Sequence, residues 1–239
     1  MTPIAIMAAV LDELAPLAAA LAGGSSVAIG RAGQPAWTGA LDGRPVVLCA
    51  SGLGKSNAAH ALTALLEAQP VGGVLAVGVG GAYPGAGLSL RDLALASEEI
   101  FADEGVETPA GFAGCELIGL ALADGVSGNR LPLEAALVAR AAAALRERAL
   151  AVSVGPFATV STCSGTDLSA ARQRERWQAL VESMEGAALA QVARRYQLPF
   201  LELRAVSNPC GDRDRSRWDL GGAIDAACAA ARIVLRVMQ

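Results

Sequence analysis

The sequence is poor in the side chains that usually bind metals, phosphate or nucleic acid. It has 239 residues, of which one is a lysine, Lys55, and one is a histidine, His60. Charged residues make up 18% and the formal net charge is −4, so no basic surface for nucleic acid or an anionic membrane is expected. A single histidine excludes a histidine-rich metal site and a catalytic triad built on several histidines. We therefore expect no bound metal, no nucleic-acid partner and no membrane partner.

Long apolar runs and cysteine motifs are also missing. The best apolar candidate, Leu14 to Ala22, is short and contains Pro16, which argues against a transmembrane helix. Asp12 and Glu13 interrupt the apolar start, which argues against a signal peptide. Five cysteines form no CxxC pair and are expected to be free thiols in a reducing compartment. These features predict a soluble, cytoplasmic protein.

Short apolar runs alternate with helical patterns along the chain, which has a hydrophobic fraction of 53%. Continuous runs of Val, Ile, Leu and Ala are typical of strands buried on both faces by helices. The pattern predicts an α/β fold in one domain covering residues 1–239. A hairpin is expected in Ser25–Gly43, with its turn at Asp42-Gly43. The predicted strands are Pro3–Val10, Arg44–Ala50, Gly73–Val79, Leu93–Ile100, Val152–Ser161 and Phe200–Ser207, and the predicted helices are Glu13–Ala22, Ser56–Ala68, Leu133–Ala149, Leu168–Leu180, Gly186–Tyr196 and Arg217–Val237.

Two glycine-rich segments resemble nucleotide motifs but do not complete them. Gly52 to Ser56 looks like a phosphate loop, yet Cys49 stands where the first glycine of that motif belongs. Gly78 to Tyr83 fails the dinucleotide pattern, because Tyr83 takes the place of the last glycine. A kinase or dehydrogenase is disfavoured, and no cofactor is expected. Polar residues following the ends of successive strands still predict a ligand site at the carboxyl edge of the sheet.

Five segments, in their order and spacing along the chain, resemble the nucleoside phosphorylase and nucleosidase superfamily. They are Ile4–Val10 followed by Glu13, Gly52–Ala59, Gly78–Gly85, Ser183–Ala188 and Pro199–Asn208. The resemblance implies a three-layer αβα sandwich with a mixed central sheet, a purine nucleoside as substrate and a homo-oligomer. Within the superfamily, Val160–Thr166, Ser207-Asn208 and Asp212–Leu220 resemble the futalosine hydrolases of the alternative menaquinone pathway. Their substrate is a hypoxanthine nucleoside with a benzoate-bearing tail on the 5′ side of the ribose.

The resemblance implies roles for individual residues. Glu13 matches the glutamate that positions the attacking water, although an acid here also favours a helix N-terminus. Glu185 matches the glutamate that accepts hydrogen bonds from the ribose hydroxyls, with Met184 packed against the ribose. Asn208 stands where adenine-specific nucleosidases carry aspartate, and its amide, with both donor and acceptor, suits a 6-oxopurine.

The remaining binding residues are expected around the base. Thr162, Cys163 and Thr166 are predicted to wall the purine pocket, with Gly80 and Gly81 as its floor. Cys163 has no histidine partner that could activate it, so it is interpreted as a pocket or core thiol. Asp212 and Asp214 are candidates for the acid that protonates the leaving base.

Three other functions stay open. A methylthioadenosine or adenosylhomocysteine nucleosidase is opposed by Asn208. A purine nucleoside phosphorylase is opposed by the lack of a cation near Glu13 in the sequence. A non-catalytic nucleoside-binding protein would not require Glu13, and release of free base distinguishes it from an enzyme.

Overall fold

The fold, taken from a computed structural model that describes residues 1–123 and 125–238, is built on one large mixed sheet. The strands are β1 (Ile4–Ala8), β2 (Ala22–Ile29), β3 (Gln34–Leu41), β4 (Arg44–Ala50), β5 (Gly73–Ala82), β6 (Leu93–Phe101), β7 (Gly105–Thr108), β8 (Gly111–Gly114), β9 (Arg130–Pro132), β10 (Val152–Thr159), β11 (Val181–Ser183) and β12 (Phe200–Pro209). The helices are α1 (Leu11–Ala19), α2 (Lys55–Ala68), α3 (Ala135–Arg146), α4 (Asp167–Trp177), α5 (Gly186–Arg195) and α6 (Leu220–Val234). In the described residues the sheet order is β11-β10-β6-β12-β5-β1-β4-β3-β2, β9 pairs with β6, and β7 and β8 form a separate hairpin.

Both faces of the sheet are buried, because successive side chains of a strand point to opposite sides. In β1, Ile4 and Ile6 join a core with α1, α3 and α6, while Ala5 and Met7 join a second core with α2 and α5. The result is the predicted three-layer αβα sandwich with a mixed sheet. No helix in the described ranges is long and apolar enough to cross a membrane.

Part of the sheet closes on itself around β5. Strand β5 pairs in parallel with β1 and with β12, and its last residues also pair antiparallel with the short strand β11. Gly81 therefore stands opposite Glu182 on one side and Asn208 on the other. Closure brings Glu182 and Asn208 beside Gly81, although they follow it in the sequence by 101 and 127 residues.

All six predicted strands and all six predicted helices are present, with ends that differ by a few residues. The predicted hairpin is also present, and its turn at Asp42-Gly43 has positive φ at both residues, as a tight turn requires. The short strands β7, β8, β9 and β11 were not predicted. Three or four residues carry too little hydrophobic periodicity to distinguish a strand from a loop.

Candidate active site

A cavity of about 310 Å³ opens at the carboxyl ends of β1, β5 and β12. It is lined by parts of the chain far apart in sequence, from Ala9 at the end of β1 to Ile224 in α6. All three residues predicted to be catalytic, Glu13, Glu185 and Asn208, line it. The strand ends of an open α/β sheet supply polar side chains and free backbone groups, so this is where a ligand site is expected.

Glu13 is held rigidly in this cavity by backbone amides. Its Oε1 accepts from the Val79 N–H at 2.9 Å, and its Oε2 accepts from the N–H groups of Ala9 at 3.1 Å and Val10 at 3.3 Å. The bond to Val10, which precedes α1, is a helix-capping contact, so Glu13 both caps the helix and faces the cavity. The carboxylate is 5% exposed and has one fixed orientation.

Arg204, which the sequence analysis did not single out, lies between the predicted catalytic carboxylates. Its Nη2 is 3.6 Å from Oε2 of Glu185, and its Nε donates to Oε1 of Glu202 at 2.7 Å. Burial alone would lower the pKa of Arg204, but Glu202, Glu185 and Glu13 outweigh burial and raise it. Gly78 makes this approach possible, because a β-carbon there would collide with Glu13 and lie 2.8 Å from Nη1 of Arg204.

Glu185 immediately precedes α5 and crosses the site to meet the loop before α2. Its Oε1 accepts from the Gly54 N–H at 2.9 Å. The segment that resembled a phosphate loop therefore binds a carboxylate of this chain. Burial raises the pKa of Glu185, and Arg204 and the Gly54 N–H oppose part of that rise. A buried carboxylate of this kind gains from hydrogen bonds donated by a ligand's hydroxyl groups.

A second carboxyl pair lies beneath Arg204. Glu99 and Glu202 are both 0% exposed, and one oxygen of each has no hydrogen-bond partner among the described residues. Burial and the neighbouring Glu202 raise the pKa of Glu99 well above its ordinary value. The protonated form of Glu99 is therefore favoured, while Glu202 forms the ion pair with Arg204.

Glu182 is a further buried carboxylate in the cavity wall that sequence reasoning missed. Its Oε1 accepts from the Ser164 N–H at 3.0 Å, and its Oε2 accepts from the hydroxyls of Ser164 at 2.6 Å and Tyr83 at 2.9 Å. A carboxylate has about four acceptor positions, so these donors leave Oε1 able to accept one more strong hydrogen bond. Only its place in the short strand β11 brings it into the site.

Asn208 faces Glu182 from the other side of Gly81. Its Nδ2 donates to the carbonyl of Pro209 at 3.0 Å, and its Oδ1 accepts from the Ser207 hydroxyl at 2.8 Å. The Pro209 carbonyl can only accept, so it fixes the amide orientation and leaves one N–H of Nδ2 for a ligand. A β-carbon at Gly81 would lie 2.7 Å from Cys210 Sγ and 3.2 Å from Asn208 Nδ2, which explains glycine at the centre of the floor.

The predicted binding residues divide into two groups. Gly80, Gly81, Cys163 and Met184 line the cavity. Thr162 and Thr166 are exposed and lie outside its lining, so the structure does not bring them together with the other predicted residues. Thr166 instead caps α4, its hydroxyl accepting from the Ser169 N–H at 3.1 Å. Within the segment Thr162–Thr166 that was expected to form the wall, Cys163 and Ser164 line the cavity.

Two further expectations concern acids and thiols. Burial, followed by the charge of Glu182, raises the pKa of Cys163, so this thiol stays protonated, in line with a pocket thiol. Asp214 is occupied by the N–H and hydroxyl of Ser216, at 3.0 and 2.7 Å. Neither Asp212 nor Asp214 lines the cavity, so the structure places neither acid beside a bound base.

The family model of the phosphorylase superfamily matches residues 3–239. The chain belongs to the phosphorylase superfamily. A futalosine hydrolase of Thermus thermophilus is 40% identical over 203 residues, which cover 84% of this chain and 85% of that protein. A futalosine hydrolase of Streptomyces coelicolor is 37% identical over 80% of this chain and 79% of its own length. These relatives confirm the predicted membership of the futalosine hydrolase family and the prediction of a nucleosidase-type hydrolase.

The fold of the superfamily is also found in solved structures. A 5′-methylthioadenosine/S-adenosylhomocysteine nucleosidase from Neisseria meningitidis, in complex with methylthio-immucillin-A, superposes with a TM-score of 0.85. The match covers 99% of both chains at 23% sequence identity, so it establishes the fold alone. The predicted phosphorylase-type architecture is thereby confirmed.

Proposed function

We propose that this enzyme hydrolyses the N-ribosidic bond of futalosine and releases hypoxanthine, a step of the alternative menaquinone pathway. The proposal that the base is hypoxanthine rests on Glu182 and Asn208, which lie on opposite sides of Gly81. Neighbouring strands lie about 4.8 Å apart, so the two backbones are roughly 10 Å from each other across β5. That separation admits the edge of a purine between a fixed acceptor and a fixed donor.

The two groups match a 6-oxopurine and oppose adenine. Glu182 Oε1 accepts from N1–H of hypoxanthine, and the free N–H of Asn208 donates to O6 or N7. Adenine has a bare N1 that accepts rather than donates, so it would face a carboxylate with no hydrogen between them. A site discriminates strongly against a ligand whose binding would leave one of its buried polar groups without a hydrogen-bond partner. The three donors that hold Glu182 keep it from turning to accommodate adenine.

Hydrolysis proceeds with Glu13 as the base and Glu185 as the ribose ligand. Glu13 accepts a proton from the water that adds to the anomeric carbon as the bond to the base lengthens. Glu185 accepts hydrogen bonds from the ribose hydroxyls, and its charge stabilises the cationic sugar of the transition state. Arg204 holds Glu185 in place, and Asn208 donates to the base as it gains electron density. The electrons of the broken bond leave with hypoxanthine, which takes up one proton.

The charge of the site favours water over phosphate as the nucleophile. The sequence offers no cation close to Glu13, but the tertiary structure brings Arg204 there from β12. Its charge is already compensated by Glu202 and Glu185, and Glu13 adds another carboxylate. A phosphate ion entering beside these carboxylates would be repelled, so the phosphorylase alternative remains opposed, now on structural grounds.

The deciding experiment incubates the purified enzyme with futalosine or inosine, with and without phosphate. We expect free hypoxanthine in both buffers, no sugar 1-phosphate and no phosphate consumption. A sugar 1-phosphate product would identify a phosphorylase. Binding without release of base would identify a nucleoside-binding protein.

We also propose that the enzyme works in the cytoplasm as a homo-oligomer. The cysteines are unpaired, which suits a reducing compartment. Leu117, Ile118 and Leu120 are 58%, 49% and 72% exposed within one short segment, and such an apolar patch supports burial against a second copy. Light scattering should give at least twice the 24.1 kDa chain mass, and a monomer at high concentration would rule this out.

A further inference from the structure

The cavity mouth carries one arginine that none of the roles above uses. Arg213 lies in the loop after β12, is exposed, and lines the cavity. Within the part of the chain that the structure describes, no carboxylate lies within 4 Å of its guanidinium. The flanking acids are engaged elsewhere, Asp214 by Ser216 and Asp212 by the Asp167 N–H at 3.3 Å. Arg213 therefore presents a positive charge with donors free for a ligand.

Trp218 gives this arginine a defined position. The guanidinium carbon of Arg213 lies 4.9 Å from the centre of the Trp218 ring, a cation–π contact that restricts an otherwise mobile side chain. Trp218 also lines the cavity, and its Nε1–H is buried with no acceptor among the described residues. Arg213 thus offers guanidinium donors at the mouth of the cavity, and Trp218 fixes their position.

The same mouth is otherwise apolar. Val10, Leu53 and Leu220 line the cavity and are 45%, 61% and 51% exposed. Exposed apolar side chains around a cavity mouth are suited to contact with a flat, apolar group of the ligand. An apolar rim with a single unpaired guanidinium fits a group that is both aromatic and anionic.

We infer that Arg213 and Trp218 form the subsite for the carboxylate of the substrate's benzoate tail, with Val10, Leu53 and Leu220 packing against its ring. This rests on the proposed function, because it assigns the 5′ tail of the same nucleoside. A guanidinium binds a carboxylate through parallel, charge-assisted hydrogen bonds. A neutral thioether tail would leave the charge of Arg213 without a partner.

The test compares futalosine, its benzoate methyl ester and inosine, which has no tail, on the wild type, Arg213→Ala and Arg215→Ala. Arg215 is the matched control, because it lies 5.9 Å from the same Trp218 ring but does not line the cavity. For Arg213→Ala we expect the ratio of kcat/KM for futalosine to that for inosine to fall about tenfold or more. The wild-type preference for futalosine over its methyl ester should disappear in the same variant. Arg215→Ala should keep both ratios.

The outcomes separate this inference from the proposed function. If the wild type releases hypoxanthine from futalosine but Arg213→Ala leaves both ratios unchanged, the tail subsite is elsewhere and the proposed function stands. Equal losses in the two arginine variants would also overturn the inference. If the wild type does not cleave futalosine, the proposed function itself fails.

Discussion

Glu202 and Arg204, two residues apart on β12, form an ion pair of 2.7 Å in which the two side chains are 0% and 3% exposed. Side chains at positions i and i+2 of a strand share a face, so one strand supplies both members. Through Arg204 the pair also contacts Glu185 at the ribose end of the cavity. Breaking it should disturb the site without touching a ligand.

The two carboxyl groups of the buried pair should respond differently to amide substitution. Glu202→Gln removes the charge that compensates Arg204, and breaking a buried ion pair costs about 3 kcal/mol or more of the free energy of unfolding. Glu99→Gln replaces an acid whose pKa is raised by burial with a neutral amide that can donate to Glu202, and this variant should fold and turn over normally. Urea denaturation at pH 8 with kinetics on both variants checks this. Equal losses of unfolding free energy in the Glu99→Gln and Glu202→Gln variants would mean that Glu99 is charged.

The pH dependence of stability gives a separate test of Glu99. Its folded pKa is raised above the ordinary value of 4.5, so its contribution to stability is full below that value and is lost as pH rises toward the folded pKa. Gln does not titrate. The free energy of unfolding of Glu99→Gln, minus that of the wild type, should therefore increase from pH 5 to pH 8. A constant difference over this range would contradict the raised pKa.

Glu13→Gln and Glu185→Gln should fold but lose most of their turnover. Loss of a positioned acid–base group typically costs about a hundredfold to ten-thousandfold in rate. Glu147→Gln, the same change at an exposed position remote from the cavity, is the control. Circular dichroism and kcat for futalosine measure the effect. Near-normal kcat in a folded Glu13→Gln protein would remove Glu13 from the mechanism.

Base selectivity should depend on Asn208 and Glu182 together. Asn208→Asp places a carboxylate that accepts from the 6-amino group and, if protonated, donates to N7, so it should favour adenine. Glu182→Gln removes the acceptor for N1–H and should weaken use of hypoxanthine nucleosides. The measurement is the ratio of kcat/KM for futalosine to that for its 6-amino analogue. A ratio unchanged in both variants would show that neither residue reads the base.

Thr166 was predicted to wall the base, but in the structure it caps α4. Its substitution tells these two roles apart. Thr166→Ala should lower the free energy of unfolding by about 1 kcal/mol, the usual cost of losing an N-cap, and leave KM unchanged. Thr162→Ala, at an exposed position without a cap, should change neither. Thermal denaturation and KM for futalosine test both variants. A raised KM in either would restore that threonine to the binding site.

Much of the fold was predictable from local sequence. Continuous apolar runs such as Ile4–Ala8 and Gly73–Val79 can be buried only in a sheet covered on both faces, and intervening helical periodicity supplies the covering layers. Glu13, Glu185 and Asn208 were predicted through the resemblance to the nucleoside phosphorylase and nucleosidase superfamily, because each lies in or directly after a segment that carries it. All three line one cavity, although their chemical roles stay predictions until the variants are measured.

The sequence by itself determined the longer strands and the helices, because their hydrophobic periodicity depends on neighbouring residues, and its segments that resemble the superfamily identified Glu13, Glu185 and Asn208. Only the tertiary structure placed Arg204 beside Glu13 and Glu185, and set Glu182 opposite Asn208. An arginine within an apolar strand, or a glutamate within three strand residues, carries no local sign of the partner it will meet. Those partners follow from the pairing of β5 with β11 and β12, which lie far from it in the sequence. The resulting burial raises the pKa of Glu99 and of Glu185.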